Sequence, residues 1–97
     1  MPPHEYHFWV YIMASRSLQF YIGMTNNLTR CVMQHKELRA DTYTARYNIT
    51  RLVYFEHYKY VKNAIAREKE LKDWSRQKKL DLIKSENPTW IDLSEYF

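Results

Sequence analysis

Two segments of the chain carry reactive groups at helical spacing. Cys31 and His35 stand four residues apart, so one turn of helix puts them on the same face as Leu28, Val32 and Leu38. Further on, Glu68 falls inside an apolar stripe of helical period formed by Val61, Ala64, Ile65 and Leu71. An ionised carboxylate in that setting must be paired, bound to a metal or set at the edge of a cleft. A cation such as Arg51 would satisfy the first condition, and Mg²⁺, which keeps several waters and needs few protein ligands, the second. His35 reads either as a satisfied core histidine or as part of a site. The Cys31–His35 pair does not complete a zinc centre, because there is no second cysteine and His4, His7 and His57 lack helical metal spacing. Nor does an evident third group orient it as a nucleophilic pair. Tyr11 and Tyr21 sit in strand-like segments, where adjacent antiparallel strands bring two hydroxyls to one face, either as chemistry or as core aromatics with their hydroxyls at the rim.

The elements that must position these groups follow in order. His7–Ala14 is rich in β-branched and aromatic residues and reads as a buried strand, Ser15–Ser17 as a turn and Leu18–Gly23 as a second, antiparallel strand. Gly23, the only glycine, is expected to end that strand at a tight turn or a close approach of backbone. Thr25, Asn26 and Asn27 are all competent N-caps for a helix from Leu28 to about Leu38. Residues 39–49 lack a clean period and read as a loop carrying Arg39 and Arg46. A third strand spans Arg51–Tyr58, a helix Tyr60–Trp74, and a shorter helix Gln77–Glu86 ends at Asn87-Pro88. Trp90 to Leu93 are expected to lie back on the core. The order is ββαβαα, an α+β fold, in one domain with its core over about 6–86 and a tail of 87–97.

Composition narrows the setting. A 97-residue chain that is 45% hydrophobic can hold one core, and its single cysteine excludes an internal disulfide, which points to a reducing compartment. There is no apolar run of membrane-spanning length and no signal-peptide pattern after Met1-Pro2-Pro3, so no membrane is expected and a soluble cytoplasmic protein is. A net charge of +4 permits an anionic partner, and sixteen per cent aromatic residues permit stacking on bases, although tyrosine is equally a favoured strand residue.

In combination these residues resemble the GIY-YIG nuclease superfamily, in particular its small bacterial members, over almost the whole chain. Val10-Tyr11-Ile12 stands at the first motif, with Trp9 or Val10 in its glycine position, and Tyr21-Ile22-Gly23 matches the second. Asn27–Lys36 resembles the family's first-helix signature, Ala64–Lys69 the segment with its metal-binding glutamate, and Asn87-Pro88 with Trp90, Asp92 and Leu93 the tail of the small members. The resemblance implies a three-stranded antiparallel sheet flanked by helices, and a DNA endonuclease that hydrolyses phosphodiester bonds in repair or recombination. It implies one divalent cation, Mg²⁺ or Mn²⁺, held by Glu68. Tyr21 would help deprotonate the attacking water, Tyr11 would position that water or the phosphate, and His35 would support the hydrogen-bond network. Arg30, Lys36 and Arg46 are the cations expected to meet DNA.

One position departs from the pattern. The family carries an arginine four residues before the helix histidine, where it binds the phosphate in the transition state; here that place is Cys31. Arg30 is adjacent, but one residue turns a helical side chain by roughly 100°. A thiol does not supply the paired donors of a guanidinium. Three outcomes stay open: a slow nuclease, a nuclease rescued by another arginine such as Arg46, and a nucleic-acid-binding module without turnover. An interaction domain that kept only the fold is a fourth.

Overall fold

The computed structural model describes residues 7–37 and 42–97. Residues 1–5, Leu38 and Arg39, for which a loose end, a helix end and a loop are expected, lie outside the described residues. Strands β1 (Phe8–Ala14), β2 (Phe20–Thr25) and β3 (Arg51–Tyr58) form one antiparallel sheet in the order β2-β1-β3, with a register shift between Ile12 and Met13 where β1 meets β3. Helix α1 (Leu28–Lys36) follows the hairpin, a short α2 (Thr42–Arg46) precedes β3, and α3 (Val61–Asp73), α4 (Arg76–Glu86) and a 3-10 turn (Leu93–Tyr96) complete the chain. The α+β class and the ββαβαα order of the main elements are as expected. The short α2 corrects the reading of 39–49 as loop throughout. It carries a Tyr43–Tyr47 ring pair 5.0 Å apart at (i, i+4), a spacing that supports a helical turn without an apolar period. Among the described residues no helix is long and apolar enough to cross a membrane.

The alternation of β1 sends its side chains to two cores. Val10, Ile12 and Ala14 pack with Ile22, Val53 and Tyr54 under Ala64 and Leu71 of α3 and Ile83 of α4. Tyr11 and Met13 pack on the other face with Leu28 and Val32 of α1, and with Ile49 and Leu52. The hairpin begins later than its sequence indicates, because Leu18 takes a left-handed conformation (φ 62°) and Ser15 Oγ accepts from the Gln19 amide at 3.0 Å. At the far end β2 runs on past Gly23 to Thr25, and Gly23 has no positive φ. The turn expected at the glycine is therefore absent; the close approach expected there is what it provides, as described below.

The buried stripe of α3 is rotated from the one its period predicts. Ala64 and Leu71 are buried, but Val61 and Ile65 stay 40% and 39% exposed. Arg67 turns inward instead, and donates from Nε and Nη2 to the Glu56 carboxylate of β3 at 3.0 and 2.9 Å. Tyr54 and Tyr58 also donate to Glu56. Burial pushes the Glu56 carboxyl up, but these hydrogen bonds outweigh it and hold the group below its ordinary value. Burial and the same carboxylate push Tyr58 up to about 12.

The tail lies back on the sheet as expected of Trp90 and Leu93. Trp90 stacks on Phe20 at 6.2 Å, and Leu93 packs against the core around Leu52, while Ile91 remains exposed. Buried Asn87 donates from Nδ2 to the carbonyls of Val53 (3.1 Å) and Ile91 (2.9 Å), and its Oδ1 accepts from the Ile91 amide at 3.2 Å. Asp92 accepts from the Leu52 amide at 3.2 Å and pairs with Lys36 at the end of α1. Burial raises the Asp92 carboxyl, but Lys36, Ser94 and Leu52 together hold it below its ordinary value.

Asn87→Ala removes the bond to Val53 and both bonds to Ile91 from a buried position and is expected to destabilise the fold by about 2 to 3 kcal/mol, read from the urea midpoint. Both depressed carboxyls contribute stability that is complete above about pH 5, and that is lost as pH falls through their lowered folded values. The urea midpoint of the parent is expected to drop steeply in acid, and that of Asp92→Asn less steeply.

Candidate active site

The β1–β2 register sets Tyr11 opposite Gly23 and Met13 opposite Tyr21, so the two tyrosines are diagonal neighbours on the α1 side of the sheet, with ring centroids 6.2 Å apart. Tyr11 leans across the strand onto the backbone of Gly23. A Cβ at that glycine would lie 2.5 Å from the Tyr11 hydroxyl oxygen, 2.7 Å from Cζ of the same ring and 3.0 Å from Cε1 of Tyr21. The missing side chain is the space that the phenol occupies.

Helix α1 brings its polar groups down onto this pair. Its start is fixed by Asn27, whose Oδ1 accepts from the Arg30 amide at 3.0 Å, and by Thr25, whose Oγ1 accepts from the Asn27 amide at 3.1 Å. Leu28 and Val32 then pack on the sheet, and Cys31 and His35 reach the tyrosines from the same helix. The Cys31 thiol donates to the Tyr11 hydroxyl at 3.0 Å. That hydroxyl lies 3.3 Å from Nε2 of His35, and it donates there when the imidazole carries its proton on Nδ1. The His35 ring sits edge-on to Tyr11 at 5.8 Å and tilted against Tyr21 at 5.1 Å. His35 is thus both a core residue and a member of the site.

The surroundings of the Tyr11 hydroxyl set its protonation state. Burial first, then the hydrogen bond with Cys31 and the charges of Cys31, Tyr21 and Glu68, push Tyr11 well above the ordinary phenol value. Tyr11 is therefore a neutral hydroxyl, able to orient a ligand but not to accept a proton as phenolate. Glu68, on a helix that packs on the other face, is still within electrostatic reach of it. Its side chain is 23% exposed and pairs with Lys72 one turn on, at 3.0 Å, rather than with Arg51, which is turned to the Trp90 carbonyl. Among the described residues no group of three or more His, Cys, Asp or Glu side chains comes together. One accessible carboxylate held by a weak surface partner suits a cation that keeps most of its water, and in that sense Glu68 fits Mg²⁺ or Mn²⁺.

The expected DNA-facing cations are dispersed. Arg30 is exposed on α1, Lys36 is half-exposed and paired with Asp92, and Arg46 ends α2 with its guanidinium 5.7 Å from the ring centre of Tyr47. The interaction between Arg67 and Glu56 was not read from the sequence; its signal was Glu56 between two tyrosines in a strand with Arg67 inside the facing helix.

A sheet of this order, with paired tyrosines under a histidine-bearing helix and a carboxylate on the next long helix, defines a small α+β domain. Residues 7–81 match the GIY-YIG catalytic domain, and the chain belongs to that family, a family of nucleases that act on DNA and generally use a divalent metal. It is similar to a UPF0213 protein of Clostridium perfringens, 34% identical over 79 residues that cover 81% of this chain and 85% of that one. A UPF0213 protein of Staphylococcus aureus is 37% identical over 76 residues, which cover 78% and 93%. The solution structure of a UPF0213 protein from Bacillus halodurans superposes with a TM-score of 0.59 at 26% identity, over 89% of this chain and 92% of that one.

Gly23→Ala places a methyl group inside the Tyr11 ring position, and two rings rather than one flexible chain end must give way. It is expected to destabilise the fold by about 1 to 3 kcal/mol, read by thermal melting, and to break the Cys31–Tyr11 contact, read as a shift of the Tyr11 ring resonances.

Proposed function

We propose that this protein is a metal-dependent DNA endonuclease that hydrolyses phosphodiester bonds, of the kind used in repair or recombination. The observation that carries the reading is the grouping of the two tyrosines on one face of the sheet under His35. Tyr11, buried and bonded to the Cys31 thiol, lies 3.3 Å from the imidazole, and the Tyr21 ring packs against the same imidazole. Tyr11 then orients the phosphate or the water through its hydroxyl. Tyr21 would take the proton of the water while passing its own phenolic proton to the His35 imidazole beside it, as the water oxygen bonds to phosphorus and the bond to the leaving oxygen breaks. His35 fixes the directions of both phenols. Glu68 would hold the divalent cation, which when bound neutralises phosphate charge and stabilises the leaving oxygen.

Cys31 favours a second reading, a module that binds nucleic acid without turnover. Where the family's arginine would offer two charged donors to the transition state, this chain offers a thiol already committed to Tyr11. Losing such a donor costs on the order of 100- to 1000-fold in rate.

The test is cleavage of branched, nicked and single-stranded DNA in Mg²⁺ or Mn²⁺. In Glu68→Gln, cleavage is expected to fall on the order of 1000-fold. The melting temperature should hardly move, because the Lys72 pair contributes only about 0.5 kcal/mol. Unchanged cleavage in Glu68→Gln would overturn the assignment. Cys31→Arg is expected to raise the rate, and cleavage by Cys31→Arg alone would assign the natural chain to the binding reading.

A further inference from the structure

Beyond Tyr11 toward the start of β1, the α1 side of the sheet carries a second cluster of rings. Trp9 lies opposite His57 of β3 and Tyr11 opposite Phe55, so these side chains form two consecutive rows of the same face. The indole of Trp9 is held from behind by His7, stacked at 5.7 Å, and by His57 at 5.3 Å, and these two imidazoles are joined by a 2.7 Å hydrogen bond between His7 Nδ1 and His57 Nε2. In front of the indole is a hollow of about 270 Å³ whose walls include Trp9, Phe55, Phe97 and Leu28, with Asn26 and Asn27 on its rim. Phe55 and Phe97 meet edge to face at 6.1 Å and both remain exposed.

We infer that this hollow binds one unpaired nucleobase of a DNA strand whose phosphate lies at Tyr11 and Tyr21. The chemistry of the walls selects that occupant: aromatic faces on a supported indole accept the π-face of a base. Asn27 is committed to capping α1, while the exposed Asn26 amide offers a donor and an acceptor to a base edge. The hollow also adjoins the candidate site through residues that pack together. Trp9, Tyr11 and Leu28 belong to one packed cluster, and Trp9 is two residues from Tyr11, about 7 Å along the strand. A base stacked within a duplex presents no free face, so the hollow takes only a base that is single-stranded or turned out of its helix. The inference rests on the nuclease reading for the location of the strand.

The experiment measures binding rather than cleavage, in EDTA. A short fluorescein-labelled single-stranded DNA is compared with a series in which each base in turn is replaced by an abasic site, against the parent protein and Phe55→Ala/Phe97→Ala, whose folding is checked by circular dichroism. Asn26→Ala, on the exposed rim, is run beside them. The expected result is that removal of one particular base weakens binding by about fivefold or more, and that the double phenylalanine variant binds the intact strand as weakly and no longer registers that position. Asn26→Ala should keep the sensitive position but bind different bases there more evenly. A series in which every abasic position is tolerated, or a double variant with the parent's position dependence, would overturn the base pocket and leave the nuclease reading intact. Base-sensitive binding by a protein that never cleaves would uphold the pocket and count against turnover. Failure to bind any oligonucleotide would overturn both.

Discussion

The structure of the site depends on one absence, the side chain of Gly23. Antiparallel pairing puts Tyr11 directly opposite that residue, and the phenol can cross the strand only because nothing projects there. From that position its hydroxyl meets both Cys31 and His35, which are one helical turn apart on α1. The caps at Thr25 and Asn27 then matter as much as the sheet, because they set where along β2 the helix begins and so which turn of it faces Tyr11. A glycine, a cap and a helical period are enough to assemble three polar groups in an otherwise apolar core.

The presence of Cys31 above Tyr11 has a local logic. A buried hydroxyl needs partners, since an unsatisfied one costs free energy without return. The thiol is small enough to sit over the sheet and supply a hydrogen bond there. The thiol therefore gives the Tyr11 hydroxyl one fixed donor. It also makes this tyrosine's neutrality more secure, because burial and the Cys31 contact act in the same direction.

Much of this was legible in the sequence, for identifiable reasons. β3 is legible to its ends because Arg51–Tyr58 is a dense run of strand-forming residues with polar boundaries, and the start of α1 because its cap and its period agree, although the helix ends at Lys36, short of Leu38. The role of Gly23 was only half legible: glycine advertises freedom of backbone, but the need for space came from a tyrosine on another strand, and only the register makes them neighbours. The face of α3 was misjudged because Val61 and Ile65 look like core residues on hydropathy, while the helix is turned by the attachment of Arg67 to Glu56, a pairing eleven residues apart that no period encodes. Asn87 was noticed as a helix terminator, yet its three hydrogen bonds to β3 and the tail follow from tertiary placement alone.

The candidate site is also uneven in how far its parts lie apart along the chain. Tyr11, Tyr21, Gly23, Cys31 and His35 all come from one hairpin and the helix joined to it, so their meeting closes only short loops. Glu68 comes from a helix beyond α2 and β3, on the opposite face. Loop-closure entropy favours the near contacts over the distant one. A partly folded chain is expected to assemble the tyrosines and histidine first and to acquire its carboxylate only when α3 docks. The carboxylate proposed to hold a metal ion is thus the last to arrive, and an incomplete fold would be one that lacks it.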